Sequence, residues 1–254
     1  MDRCRLCGQK EMATIVSNLG SDLHEEYSLR ECKTCSFVTI APLPDHQVLR
    51  RYYSRDYWHE ENSHAAKHLN LLFALRMDGV VRELERLIPA NSRILAWGAG
   101  DGSFVRLLDK KGFSGYGIDR YSAACDEKKI FRSTIHNTPF ASQYSDCITS
   151  FHILKHLKDP VGSVKSAFNL LKPGGIFVGE VPNIPSLQYK LFREKWQPLE
   201  IPLHVNHFNP KNLLFIISVS NLHYSLDRGL LQARCDNKTI PEERRVSFFG
   251  FSRK

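Results

Sequence analysis

RILAWGAGDGSF, residues 93–104, opens as an apolar run and turns through Gly98, Gly100 and Gly102 into SFVRLLDKKG, a helical pattern ended by Gly112. A strand that enters a glycine turn and leaves as a helix is built for a ligand. Glycine allows the tight turn and a close approach to the backbone, and the helix amino end supplies unpaired N–H groups. The spacing is Gly-x-Gly-x-Gly, whereas a dinucleotide fingerprint needs its third glycine three places after the second. That weakens the pyrophosphate reading. The next strand, GYGID, ends at Asp119, 19 residues after Gly100, where a carboxylate can accept hydrogen bonds from both hydroxyls of a ribose.

Outward from this turn the chain alternates strands and helices. SDCITSFHI reads as a strand, PVGSVKSAFNLLKPGG as a helix, IFVGEVPN as a strand and NLLFIISVSN as a helix. The pattern predicts an α/β domain with a mostly parallel sheet and helices on both faces, with ligands beyond the carboxyl ends of the strands. HYSLDRGLL and VSFFGFSRK are expected to form a closing antiparallel pair. Ahead of the turn, Leu69, Leu72, Leu75, Val80, Leu84 and Leu87 mark an amphipathic helix over Ala65–Ile88. Three regions follow from composition: a cysteine-rich module at 1–41, closed by APLP; an aromatic linker and helical lead-in at 42–90; and the main domain at 91–254.

Cys4-x-x-Cys7 and Cys32-x-x-Cys35, separated by 24 residues, have the spacing of two zinc knuckles. Disulfides or a redox pair are the alternatives; the absence of a secretory apolar core in MDRCRLCGQK and of a thioredoxin-like pattern favours structural zinc and a cytoplasmic location. Cys125, Cys147 and Cys235 are isolated and read as small buried hydrophobes. No apolar run is long enough to span a bilayer. The net charge of +8 falls beyond residue 90, where 23 basic residues face 14 acidic ones, in scattered pairs and not in a tract that tracks a phosphate backbone. Nucleic acid is therefore disfavoured as a partner.

Taken in order, ILAWGAGDGSF, GYGID, FHILKHLKDP, LLKPGGIFVGEVPN and HVNHFNP resemble the successive motifs of class I S-adenosylmethionine-dependent methyltransferases, over roughly residues 45–254. With the cysteine module and YYSRDYW in front, the chain is similar to members bearing an N-terminal zinc-binding module, including C-methyltransferases of deoxysugar biosynthesis. The resemblance implies a Rossmann-like sheet whose last strand is antiparallel. It assigns Gly98, Gly100 and Gly102 to the methionine part of S-adenosylmethionine and Asp119 to its ribose, counts Ala99 and Arg120 among the cofactor-binding residues, and puts Phe151 and His152 at the end of the fourth strand near the sulfonium.

Two positions depart from that pattern: Ala96 replaces an acid two places before the first glycine, and Lys155 precedes His156 where the family commonly has Glu. Each lost charged hydrogen bond removes about 1.5–3 kcal/mol. His204 matches the base of the sugar C-methyltransferases, with Leu203 in place of the usual preceding acid, and His156 matches another of their active-site histidines. His64 and His68 have metal-sharing spacing on a helix but lack a third ligand, which makes a solvated face the simpler reading. Tyr52, Tyr53, Tyr57 and Trp58 either cover the ligand or staple the cysteine module to the main domain. The expected function is methyl transfer to a small-molecule acceptor such as a nucleotide-linked sugar; an RNA methyltransferase and a non-catalytic relative of the same fold are the alternatives. Oligomeric state is not legible.

Overall fold

The computed structural model describes residues 3–21, 25–53, 64–122, 129–218, 223–227 and 230–234, with backbone alone at 53, 64–73 and 223–234. In chain order the elements are β1 (Met12–Gly20), β2 (Glu26–Cys32), β3 (Val38–Ala41), α1 (His46–Tyr53), α2 (His64–Leu87), β4 (Arg93–Trp97), α3 (Ser103–Lys110), β5 (Ser114–Asp119) and β6 (Ile130–Arg132). They continue as β7 (Ser145–Phe151), α4 (Pro160–Asn169), β8 (Leu171–Glu180), α5 (Leu187–Phe192), β9 (Asn206–His207), α6 (Pro210–Ser218), β10 (His223–Asp227) and β11 (Leu230–Arg234).

Seven strands form one sheet in the order β10-β11-β8-β7-β4-β5-β6. β8, β7, β4, β5 and β6 are parallel, and β11 enters antiparallel to β8. The two-residue period of a strand divides its side chains between two cores. Ile94 and Ala96 of β4 face α2 and α3, where Val81, Leu84, Phe104 and Leu108 are buried. Leu95 and Trp97 face the other way, onto Val164, Phe168, Leu213 and Ile217 of α4 and α6. This is the predicted Rossmann-like sheet. The chain order 4-5, with the crossover back to β7 on the other side of β4, opens a crevice at the carboxyl ends of β4 and β7.

Two sequence expectations shift. HYSLD pairs with LLQAR to make the β10–β11 hairpin, so the antiparallel partner lies within the next few residues; VSFFGFSRK lies outside the described residues. α4 stops at Asn169, and LLKPGG begins β8, because Pro173 cannot continue a helix and Gly174 takes φ +78°.

A second, four-stranded sheet has the order β1-β2-β3-β9. Its first three strands carry the cysteine pairs at their ends, and its last comes from beyond residue 200. Phe37 and Phe208, both buried, meet edge to face at 5.2 Å and join Cys4, Leu6 and Cys32 to the core under α4 and α6.

Candidate active site

The glycine turn adopts the backbone that its sequence requires. Gly98, Gly100 and Gly102 have φ +87°, +55° and +78°, and a Cβ at Gly98 would collide with the Ile153 side chain. Gly98 and Ala99 donate to the Ile118 carbonyl at 2.8 and 3.2 Å, which fastens the turn to β5. Gly117 lies beneath it: a Cβ there would stand 2.5 Å from Ala99 Cβ. Both glycines of GYGID are packing requirements of β5, Gly115 because a Cβ would stand 2.9 Å from the Val105 carbonyl of α3 and Gly117 because of the ligand turn.

Asp119 ends β5 with both carboxylate oxygens in use, Oδ2 accepting from Gly100 N–H at 3.0 Å and Oδ1 from Tyr121 N–H at 2.7 Å. Each oxygen keeps a further acceptor site, so the side chain is oriented by backbone and still able to take two hydroxyls. A cavity of about 470 Å³ opens here, lined by Trp97, Gly98, Asp119, Arg120, Phe151 and His152, by Ser133–His136 after β6 and by His46 and Leu49 of α1. The sequence reading missed the 133–136 segment and α1, which have no motif to mark them.

A second cavity, of about 640 Å³, adjoins the first at His152 and extends to Lys155, Glu180, Asn183, Lys195, Glu200 and His204. His152 occupies φ +60°, a conformation that costs a non-glycine residue free energy. Its N–H donates to the Glu180 carbonyl at 2.8 Å, and its Nε2 lies 3.3 Å from Glu180 Oε1. Glu180, 6 % exposed, also meets the guanidinium of Arg76 from α2. Strand register puts Ala96 level with Thr149 and Val178, so Glu180 projects from the same face as Ala96, one step further along β8.

His204 is 1 % exposed. Its Nδ1 is 2.7 Å from the Pro198 carbonyl, an acceptor, which places the proton on Nδ1. Nε2 faces Glu200 Oε2 at 3.0 Å. Two acceptors meeting at that distance attract only with a proton between them, whereas burial opposes a charged imidazole and holds His204 below the ordinary histidine range. His204 and Glu200 thus form a dyad at ion-pair distance, not aligned as a hydrogen bond, with room for one proton, and Glu200, with its side chain 34 % exposed, is its solvent-facing member. The acid that sequence adjacency sought at Leu203 stands four residues before the histidine. His156, packed edge to face on His204 at 4.8 Å, directs Nδ1 to the Leu203 carbonyl at 3.0 Å. Lys155, 8 % exposed, is pushed down to about 8 by burial, partly countered by the charge of Glu200.

The sulfurs of Cys4, Cys7, Cys32 and Cys35 all lie within 4.8 Å of one another. Burial pushes Cys32 up, but the N–H groups of Cys35 and Thr34 outweigh it and bring the thiol to about 7, whereas burial holds Cys4 and Cys35 above the ordinary thiol range. Four sulfurs at this reach are compatible with a small zinc module. Cys147 is fully buried in the sheet; Cys125 and Cys235 lie outside the described residues, as do Tyr57 and Trp58 and the side chains of Tyr53, His64 and His68. The Tyr52 hydroxyl is buried.

Residues 57–222 match the family described as methyltransferase domain. The chain belongs to that family. Among solved methyltransferase structures, a SAM-dependent enzyme from Archaeoglobus fulgidus is 20 % identical with a TM-score of 0.50, covering 61 % of this chain and 73 % of its own. Others from Thermotoga maritima (16 %, 0.47, 60 % and 86 %) and Aquifex aeolicus (15 %, 0.49, 63 % and 89 %) are similar at the same level. No curated protein matches the chain. The glycine turn and Asp119 lie within the matched residues. No helix among the described residues is long and apolar enough to cross a membrane.

Proposed function

We propose that this methyltransferase acts on a small-molecule acceptor, with nucleotide-linked sugars the first class to test, and that its four cysteines hold a structural zinc ion. The observation that carries the reading is the pair of cavities meeting at His152, one at the glycine turn and one at the His204–Glu200 dyad. S-adenosylmethionine, when bound, supplies an electrophilic methyl group on a sulfonium. Gly98, Ala99, Gly100 and Gly102 would hold its methionine part, Asp119 its ribose, and Arg120 and Ser133–His136 its adenine side. Phe151 and His152 would border the sulfonium. Glu180, held by Arg76 on the face where Ala96 offers no charge, would take over the missing acid's attraction for the ammonium of the methionine part.

For the protein's own part, transfer requires alignment of the acceptor atom and removal of its proton. The dyad accepts that proton through Glu200, whose oxygen faces the acceptor cavity, and shares it with Nε2 of His204, while the Pro198 carbonyl keeps the ring in one tautomer. His156 packs against the ring and excludes water from its far side. Lys155 and Lys195 offer two ammonium groups to the cavity, whose carboxylates, Glu180 and Glu200, already face Arg76 and His204. That favours an acceptor with phosphates or another anionic group.

Calorimetric titration of zinc-loaded protein with S-adenosylmethionine and S-adenosylhomocysteine tests the cofactor, and an acceptor screen read by S-adenosylhomocysteine release tests the substrate. Micromolar binding and turnover of a nucleotide sugar are expected. Methylation of RNA with no nucleotide sugar turned over would overturn the substrate class, and no binding at millimolar cofactor would make the protein a non-catalytic member of the family.

A further inference from the structure

We infer that the cysteine module is a clamp on the loop that carries the dyad, so that metal at the four sulfurs fixes the position of His204; the inference rests on the dyad reading above. The module grips the segment that follows His204 at both knuckles and along β3. Arg5, between Cys4 and Cys7, donates from its guanidinium to the Val205 carbonyl at 3.0 Å. The Thr39 hydroxyl donates to the same carbonyl at 2.8 Å, and the Ile40 N–H at 3.3 Å. At the second knuckle, Asn212 donates to the Cys35 carbonyl at 2.7 Å and Asn209 to that of Ser36 at 3.1 Å. β9 completes the module's sheet by pairing with β3, His207 standing opposite Val38 and Asn206 opposite Thr39.

The loop's other side rests on the turn at Leu154–His156. Asn206 donates to the Leu154 and Leu157 carbonyls at 3.0 and 2.7 Å, and His156 reaches Leu203. The dyad is therefore held between two walls, and the first of them is the cysteine module. A three-stranded sheet whose first strand, β1, buries none of its nine residues has too little core to stay closed alone, and a four-thiolate metal ion supplies the missing closure. Arg5, Thr39, Asn209 and Asn212 are thus positioning residues: they touch no reacting atom and act through Val205 and its neighbours.

The test uses the full chain with zinc bound, stripped with a chelator, and zinc restored, together with zinc-loaded Thr39→Val, which keeps every sulfur. Three quantities are read: S-adenosylhomocysteine affinity, amide hydrogen exchange at Val205–Phe208, and the pH titration of the His204 ring by NMR. In the stripped protein, exchange should accelerate at least tenfold and the His204 titration should move up toward the ordinary imidazole range as its burial relaxes. S-adenosylhomocysteine affinity should stay within twofold, and zinc should reverse the changes. Thr39→Val should shift the His204 titration in the same direction by a smaller amount. Unchanged exchange and titration in both samples would overturn the clamp, as would cofactor affinity lost together with the metal, which would make the module a general support. If the clamp signals move but Glu200→Gln leaves methyl transfer intact, the dyad reading fails and the clamp stands.

Discussion

Replacing Glu200 by Gln removes the charge from the dyad and little of its volume. In the native protein Glu200 Oε2 lies 3.0 Å from Nε2, so that a proton taken from the acceptor would be held there by a charge-assisted bond, in a site where His204 is 1 % exposed and its Nδ1 is already committed to Pro198. Such bonds contribute about 1.5–3 kcal/mol, and each 1.36 kcal/mol is tenfold in rate or equilibrium. The dyad's proton affinity should fall by one to two orders of magnitude, and the turnover number at pH 7 by about 10–100-fold. S-adenosylhomocysteine affinity should remain within twofold, because Glu200 lines the second cavity and not the first. The His204 titration should move down, since the carboxylate that favours its charged form is gone. Initial rates against a turned-over acceptor, calorimetry and histidine NMR give the three readouts. Turnover within threefold of the native protein, or a His204 titration that does not move, would refute the dyad.

Lys155→Met should remove an alkaline limb centred near pH 8 from the profile of kcat/KM, because the ammonium that binds an anionic acceptor discharges there; the acid limb, set by the dyad, should stay. Asp119→Ala loses two oriented acceptors and should weaken S-adenosylhomocysteine binding by at least tenfold in calorimetry. Gly117→Ala drives a methyl into Ala99 and should cost about 1–3 kcal/mol in urea denaturation while weakening the cofactor at a site it never touches. His207 is 3 % exposed and held neutral to about pH 3, chiefly by burial. The unfolded chain takes up its proton first, so stability is full above about pH 6.5 and falls with decreasing pH. Between pH 7.5 and 5.5 this amounts to about 1.4 kcal/mol, and His207→Gln should lose that much less over the same interval.

The doubly faced sheet was legible because β4, β7 and β8 are apolar runs bounded by turns, and Asp119 because its distance from Gly100 is fixed by one helix and one strand. β6 and β9, of three and two residues, are too short to show a period. Glu200 escaped because the acid was sought next to His204, whereas a left-handed residue at 200 and the His204 N–H to Glu200 carbonyl bond, 2.9 Å, fold it back onto the ring. Glu180 and Arg76 are 104 positions apart in the chain, and only α2 packing across the sheet brings them together. The knuckle spacing announced a metal, but nothing in residues 1–41 announces that Val205 is what they grip.

β9 closes the four-stranded sheet from far downstream: Thr39 waits 166 residues for Val205, and Arg5 waits 200. At roughly 5–20 residues per second, the ribosome takes on the order of 10–30 s to deliver the missing edge. Throughout that interval β3 presents unpaired N–H and C=O groups, the feature that recruits other chains into intermolecular pairing. The cysteine pairs are complete long before, once Cys35 has emerged. Early capture of metal would keep the three-stranded hairpin compact while its edge is open, so supply of the ion during synthesis should govern how much of this protein reaches solution and how much is lost to aggregates.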